Sequence, residues 1–342
     1  MNRTIKYFHF TVIIGIGVFL FSCKNDTQVS SDPTKDGPTI HTPIKVPLFS
    51  KDTAYALVAK QVAFGPRVPG TDAHQATRLW LVQKLKSYGA TVIEQSFKAN
   101  TVPLGEVRSV NIVASFNPTY ARRVLLAAHW DTRYAADEDD DRPKEKFDGA
   151  DDGGSGVGIL LEIARLIKEN PISLGVDLIL FDAEDQGTSD GNEDTWCLGS
   201  QYWAKNPHVK GYRAEYGILL DMVGAKGATF QKEDLSNVFL PEKTRKIHSI
   251  YDRLWAQAKG MNQTTFFVDL KGKPLIDDHY YVNLNTDIPM ADIINKPVNS
   301  AKGFGAHWHT HDDNMSVIDP MTLGAVGQVV TAFVYNSSRA PL

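Results

Sequence analysis

Residues 124–131 read VLLAAHWD, residues 177–185 read DLILFDAED and residues 216–221 read YGILLD. In each stretch a short and nearly continuous apolar run ends directly in acidic or imidazole side chains. Such runs are typical of strands that are buried on both faces, as in parallel sheets covered by helices. The three stretches therefore predict central strands of an α/β protein. In such proteins ligands bind outside the carboxyl ends of the strands, where these polar residues lie.

Further patterns along the chain complete the predicted order of elements. Apolar runs predict strands at Asn111–Phe116, Val124–Ala128, Asp177–Phe181, Tyr216–Leu220 and Ile288–Ile294. Helical spacing predicts helices at Thr53–Phe64, Ala73–Tyr88, Ser155–Glu169, Ser200–Asn206, Glu242–Lys259 and Pro320–Tyr335. Ser155 is expected to cap the N-terminus of its helix. Strands alternating with helices favour an α/β sandwich with a mostly parallel sheet.

Composition narrows the classes of partner. The chain has 342 residues, of which 42% are hydrophobic, enough for one large core or two modest ones. Its formal net charge is −4. This balance gives no indication of nucleic acid as a partner.

The N-terminus has the features of an export signal. Arg3 and Lys6 precede an apolar run over residues 8–21, which is short for a membrane span and has the order of a secretory signal. The tetrad Leu20-Phe21-Ser22-Cys23 resembles a bacterial lipobox, in which the cysteine is acylated and becomes the first residue. We therefore expect residues 1–22 to be a lipoprotein signal peptide, and an ordinary cleaved signal is the alternative.

Lipid on Cys23 would anchor an exported bacterial lipoprotein that faces the periplasm. Lys24 follows in place of the Asp that often retains lipoproteins in the inner membrane, so the outer membrane is favoured. Residues 23–47 are polar and rich in proline, which predicts a flexible tether. Residues 48–342 are predicted to form one catalytic domain. With Cys23 acylated, Cys197 has no partner for a disulfide, since the chain has only two cysteines.

Polar clusters follow three of the predicted strands and recur in two loops. After the strands come His129-Trp130-Asp131, the acids of residues 182–185, and Asp221; the loops contain Asp151-Asp152 and His307-Trp308-His309. A single Asp after a strand is more often a turn former or a helix cap. Five clusters together indicate a catalytic zinc, which takes nitrogen and oxygen ligands and keeps one position open.

The order of these clusters resembles the zinc aminopeptidase and glutaminyl cyclase superfamily over about residues 50–337. That resemblance implies a three-layer α/β/α sandwich with a mostly parallel mixed sheet. It also implies one zinc held by Asp152, Asp185 and His309. Glu184 matches the acid that shuttles protons. In the aminopeptidases, the residues matching His129 and Asp221 hold a second zinc. Most members have Glu-Glu where this chain has Glu184-Asp185, so the ligand arm is shorter here.

Two segments favour the cyclase branch within this superfamily. Trp308-His309-Thr310 with Asp312-Asp313-Asn314, and Asp277-Asp278-His279, resemble segments of animal-type glutaminyl cyclases. The loop from Glu184 to Ser200, which carries Trp196, is similar to that of Bacteroidetes cyclases. The resemblance implies that Asp277 belongs to a hydrogen-bond network in the active site. Trp308 is expected to line the pocket, whereas Trp196 is equally compatible with a position in the pocket and one in the core.

These observations predict a zinc-dependent glutaminyl-peptide cyclotransferase that acts on the N-termini of peptides and proteins. Glu184, Asp221 and Asp277 are the predicted catalytic residues, and Trp308, Trp196 and His129 are predicted to bind substrate. A di-zinc aminopeptidase is the alternative enzyme. A binding module on a degenerate enzyme fold is the alternative from another class.

Three neighbouring features have plainer interpretations. The acidic run at residues 137–141 is interpreted as a solvated loop. His307 and His311 flank the expected ligand, and they are interpreted as exposed or as neighbours of the ligands.

Overall fold

The computed structural model describes residues 45–188, 190–300 and 303–339, which belong to one compact unit. The predicted signal peptide, Cys23 and the tether up to residue 44 lie outside the described residues. Among the helices that are described, none is both long and apolar enough to cross a membrane.

Seven helices and eight strands are found in the described residues. The helices are α1 Lys51–Val62, α2 Asp72–Ser87, α3 Gly154–Glu169, α4 Leu198–Lys205, α5 Pro241–Gly260, α6 Asp278–Asn285 and α7 Pro320–Ser337. The strands are β1 Thr91–Thr101, β2 Gly105–Phe116, β3 Arg123–His129, β4 Gly175–Phe181, β5 Gly217–Asp221, β6 Phe230–Glu233, β7 Phe267–Gly272 and β8 Met290–Ile294.

The central sheet is mixed, with its strands in the order β1-β2-β4-β3-β5-β8. Strands β4, β3, β5 and β8 run parallel to one another. Strand β2 is antiparallel to both β1 and β4. A second, two-stranded sheet pairs β6 with β7. The mostly parallel sheet predicted from the apolar runs is confirmed.

Alternate side chains of the central strands enter two separate cores, one on each face of the sheet. Leu126 of β3 belongs to the larger core, which also contains apolar residues of α1, α2, α3, α5 and α7. Its neighbours Leu125 and Ala127 belong to the smaller core, with Trp203 of α4 and Val282 of α6. Since successive side chains of a strand point to opposite faces, helices cover both sides. The three-layer α/β/α sandwich is therefore confirmed.

The N-terminus of α3 differs from the prediction. Gly153, not Ser155, is the N-cap, and its φ of 73° lies in the left-handed region that favours glycine. The Ser155 hydroxyl lies inside the helix, where it donates to the carbonyl of Asp151 at 2.6 Å. It also accepts from the amide of Val223 at 2.9 Å. The serine thus joins the loop before α3 to the loop after β5.

Candidate active site

The polar residues gather at one edge of the sheet. Strand β3 ends at His129 and β5 ends at Asp221, while Glu184 and Asp185 follow β4. These strands are parallel, and His129 lies opposite Phe181 in the register. Their carboxyl ends therefore meet at the same edge, as the sequence predicted.

Asp152, Asp185 and His309 converge in this region. Their potential ligand atoms all lie within 4.8 Å of one another. His309 Nε2 is 3.0 Å from an oxygen of Asp185 and 3.7 Å from an oxygen of Asp152. All three residues are buried, and Asp185 Oδ2 has no hydrogen-bond partner among the described residues. Buried carboxylates without such partners fit a cation, and two oxygens with one nitrogen suit a catalytic zinc.

His129 lies beside this group and contacts two carboxylates. Its Nε2 is 2.9 Å from Asp152 Oδ1 and 3.1 Å from Asp221 Oδ1. The three side chains offer ligand atoms within 4.8 Å of one another. His129 is buried and is not among the residues that line the neighbouring cavity. Burial raises the pKa of Asp221 to about 7, and His129 opposes this effect.

Glu184 and Asp277 form an acidic pair next to the three converging residues. Atoms of Glu184, Asp277 and Cys197 lie within 4.8 Å of one another, and Cys197 Sγ is 3.2 Å from Glu184 Oε1. Burial raises the pKa of Glu184 well above its ordinary value, and the charges of Asp185 and Asp277 raise it further, against the opposing effect of His129. A raised carboxyl pKa is what a group needs to accept and donate protons near neutral pH.

These acids face a cavity of about 460 Å³. Its polar wall contains Asp152, Glu184, Asp185, Asp221, Asp277 and His309. Trp196 and Trp308 also line it, beside the apolar Ile276, Ile294 and Phe304. Both tryptophans predicted to bind substrate therefore face this cavity. The Trp308 ring packs at a tilt of 36° against Phe304, with the ring centroids 4.8 Å apart, and the Trp196 indole donates to the carbonyl of Thr188.

Asp137, which no sequence pattern marked as a site residue, orients His309. Asp137 Oδ1 is 3.1 Å from His309 Nδ1, and Arg133 donates to both oxygens of Asp137. Burial alone would raise the pKa of Asp137, but these partners hold it well below its ordinary value. Asp137 begins the acidic run interpreted as a solvated loop, and this interpretation is wrong for Asp137 and Asp139, whose side chains are 27% and 15% exposed and pair with histidines. The carboxylate fixes the imidazole so that Nε2 faces the two predicted carboxylate ligands.

Two further acids hold the loops that carry the predicted ligands. Asp131 accepts hydrogen bonds from the amides of Glu184 and Asp185. Asp313 accepts from the amides of Asp151 and Asp152. Each acid thus joins loops from distant parts of the sequence. The only sequence signals were their places in the His-x-Asp and Asp-Asp-Asn segments.

A buried arginine also stabilises the loop before α3. Arg67 is 0% exposed and donates to the carbonyls of Trp130, Asp148, Gly149 and Asp152. No feature of the sequence around residue 67 indicated this role.

The two histidines that flank His309 both have carboxylate partners. His307 Nε2 is 2.8 Å from Asp151 Oδ2, and His311 Nδ1 is 2.9 Å from Asp139 Oδ2. Both therefore neighbour the site without joining the group of Asp152, Asp185 and His309.

Unusual backbone conformations concentrate around the site. Ala183, Cys197, Met222 and His309 all have φ between 46° and 55°. Such values are uncommon for residues other than glycine and cost about 1–3 kcal/mol each, so the surrounding contacts must maintain them. They turn the chain sharply next to Glu184, after Asp221 and at His309 itself.

Comparisons with known proteins agree with this geometry. The model of peptidase family M28 matches residues 111–334. A Zn-dependent exopeptidase from Parabacteroides distasonis has a TM-score of 0.81 and 48% identity, over 85% of this chain and 100% of that chain. The glutaminyl cyclase of Porphyromonas gingivalis has a TM-score of 0.80 and 47% identity, over 85% of this chain and 99% of that chain. A glutaminyl-peptide cyclotransferase of Drosophila melanogaster is 28% identical over 288 residues, which cover 78% of this chain and 76% of that relative. The resemblance predicted from the motif order is confirmed.

Proposed function

Because this chain belongs to peptidase family M28 and is similar to glutaminyl cyclases over most of its length, we propose that it is a zinc-dependent glutaminyl-peptide cyclotransferase. It converts the N-terminal glutamine of peptides and proteins to pyroglutamate and releases ammonia. Its substrates are therefore peptide N-termini.

The observation that carries this proposal is the acidic pair beside the predicted zinc ligands. Glu184 and Asp277 lie within 4.8 Å of each other and line the same cavity as Asp152, Asp185 and His309. Asp277 Oδ2 is buried and has no hydrogen-bond partner among the described residues. It offers an acceptor for a substrate N–H next to the group that moves the proton.

In the reaction, the α-amine of the substrate attacks the carbon of its own side-chain amide, and the carbon–nitrogen bond of that amide breaks. Both reacting groups belong to one residue, so holding that residue folded removes much of the entropic barrier. When bound by Asp152, Asp185 and His309, zinc supplies Lewis acidity towards a carbonyl oxygen in the cavity.

The side chains of the cavity move the protons and position the amine. Glu184 takes a proton from the attacking amine and returns one to the departing ammonia. Asp277 and Asp221 accept hydrogen bonds from the amine and orient it towards the amide carbon. Trp308 and Trp196 exclude water and pack against the substrate.

One zinc per chain is sufficient for this chemistry, since no water has to be activated. The second candidate function is a di-zinc aminopeptidase, in which His129 and Asp221 hold the second ion next to Asp152. Two observations favour it: these three side chains lie within 4.8 Å of one another, and the chain is similar to a Zn-dependent exopeptidase.

Activity and metal content of the purified protein distinguish the two functions. A cyclase releases ammonia and pyroglutamyl peptide from Gln-initiated peptides, leaves Leu-initiated peptides intact and binds about one zinc. Two bound zincs with release of free Leu, and with no pyroglutamate, would establish the aminopeptidase instead. Ammonia is measured by a coupled assay and zinc by elemental analysis.

The location of the enzyme is a separate proposal, supported by the N-terminal sequence. Residues 1–22 are a signal peptide, lipid on Cys23 anchors the enzyme to the outer membrane, and the catalytic domain at residues 48–342 faces the periplasm. Residues 23–47 are the tether between them.

A further inference from the structure

A thiol lies behind the acidic pair that the proposed reaction uses. Cys197 Sγ is 3.2 Å from Glu184 Oε1, and the two atoms lie within 4.8 Å of a carboxylate oxygen of Asp277. Cys197 is 0% exposed and Asp277 is 5% exposed. In the described residues, Asp277 Oδ2 has no hydrogen-bond partner. Two carboxylates and a thiol therefore converge, and one of these carboxylates, that of Asp277, has an oxygen that is buried without a partner.

The backbone fixes the thiol in this position. Cys197 has a φ of 55°, and its amide donates to the carbonyl of Glu184 at 2.8 Å. The next amide, that of Leu198, donates to the carbonyl of Ala183 at 3.1 Å. These two hydrogen bonds hold the start of α4 against the residues that carry the proton shuttle. A ligand that binds the thiol and both acids would need little rearrangement of the chain.

The donor set differs chemically from that of the predicted zinc ligands. Asp152, Asp185 and His309 offer only oxygen and nitrogen. The second set includes sulfur, which selects soft cations such as Zn²⁺ and Cd²⁺ over Mg²⁺ or Ca²⁺. Binding there exchanges the thiol proton for the metal and releases that proton to solvent.

We propose that Glu184, Cys197 and Asp277 form an inhibitory site for a thiophilic divalent cation. A cation at this site occupies the two acids that bind and deprotonate the substrate amine. Excess Zn²⁺, or Cd²⁺, therefore competes with the peptide. The competition with peptide rests on the proposed function, whereas binding of the cation does not.

Cadmium is the probe, because a cadmium–thiolate bond gives an ultraviolet charge-transfer band. Adding Cd²⁺ to the zinc-loaded protein should produce this band, and Cys197→Ala should remove it, while Cys23→Ser should keep it. Cadmium should raise the apparent KM for a Gln-initiated peptide. Cys197→Ala should weaken this inhibition at least about tenfold, since even the loss of a group that only supports a metal ligand has an effect of this size.

Cys197→Ser preserves the size of the side chain, and it replaces Cys197→Ala in both assays if the alanine variant does not fold. Asp277→Asn should weaken cadmium binding in the spectroscopic titration, which requires no activity. A band that is absent, or that persists in Cys197→Ala, overturns the proposal. So does cadmium inhibition that is equally strong in Cys197→Ala, because the cation then acts by displacing zinc. If the band behaves as expected but no ammonia is released from Gln-initiated peptides, the proposed function fails and the cation site stands.

Discussion

Replacing Asp137 by Asn should weaken zinc binding although Asp137 is not itself a predicted ligand. The carboxylate accepts from His309 Nδ1 at 3.1 Å, and Asn keeps the shape of the side chain while removing its charge. A hydrogen bond to a charged group contributes about 1.5–3 kcal/mol, against about 0.5–1.5 kcal/mol for a neutral pair. The difference of about 1–1.5 kcal/mol corresponds to roughly tenfold in an equilibrium constant. The zinc dissociation constant should therefore rise about tenfold.

The assay is a competition for zinc between the protein and a chromophoric chelator. Asp139→Asn is the matched control, because Asp139 belongs to the same acidic run and pairs in the same way with His311, at 2.9 Å. His311 lies outside the group of predicted ligands, so this variant should bind zinc like the parent protein. Circular dichroism checks that both variants are folded. Equal zinc affinities for the parent protein and Asp137→Asn would refute the orienting role, and equal weakening in both variants would assign the effect to the loop as a whole.

Three other changes test separate parts of the description. Glu184→Gln should retain zinc, while its turnover in the ammonia assay should fall about 10²–10⁴-fold, the scale of a lost acid–base group. The control Glu242→Gln, at an exposed position, should keep the turnover of the parent protein, and near-normal turnover of zinc-loaded Glu184→Gln would exclude the proton shuttle. Cys23→Ser should abolish metabolic labelling with palmitate in a bacterial host, and equal labelling of both proteins would rule out the lipid anchor. Arg67→Lys should lower the free energy of unfolding by more than about 3 kcal/mol, since lysine cannot donate to the same four carbonyls. Urea denaturation measures this, with the exposed Arg253→Lys as the control, and equal midpoints for Arg67→Lys and the parent protein would contradict it.

The sequence predicted the central strands well because they are buried on both faces and therefore apolar throughout. Strand β1 was missed because it is an edge strand with no buried residue from Thr91 to Ser96, so its sequence contains no continuous apolar run. Its partner β2 was predicted to begin at Asn111, but it starts at Gly105, since its first residues are also largely exposed. Helix α6 was missed because its buried face is largely polar, with Asp278, His279 and Asn283 beside Tyr281 and Val282, so no apolar period marks it.

The same contrast holds at the site. Residues that follow apolar strands, such as His129 and Asp221, could be placed from the sequence, because parallel strands bring their ends together. Asp137 could not, since its partner His309 is distant in the chain and nothing local marks the pairing. Arg67 could not be placed from the sequence either, because its four partners are backbone carbonyls, which leave no pattern in the sequence.

The spread of the predicted zinc ligands along the chain means that no short part of the protein can hold the metal. Asp152 precedes α3, Asp185 follows β4, and His309 lies between β8 and α7. Strands β4, β5 and β8 of the central sheet lie between the first ligand and the last in the sequence, so the set of ligands is incomplete without the segment after β8. Asp137, which orients His309, also lies far from His309 in the sequence. The three predicted ligands are therefore brought together only when this whole segment has folded.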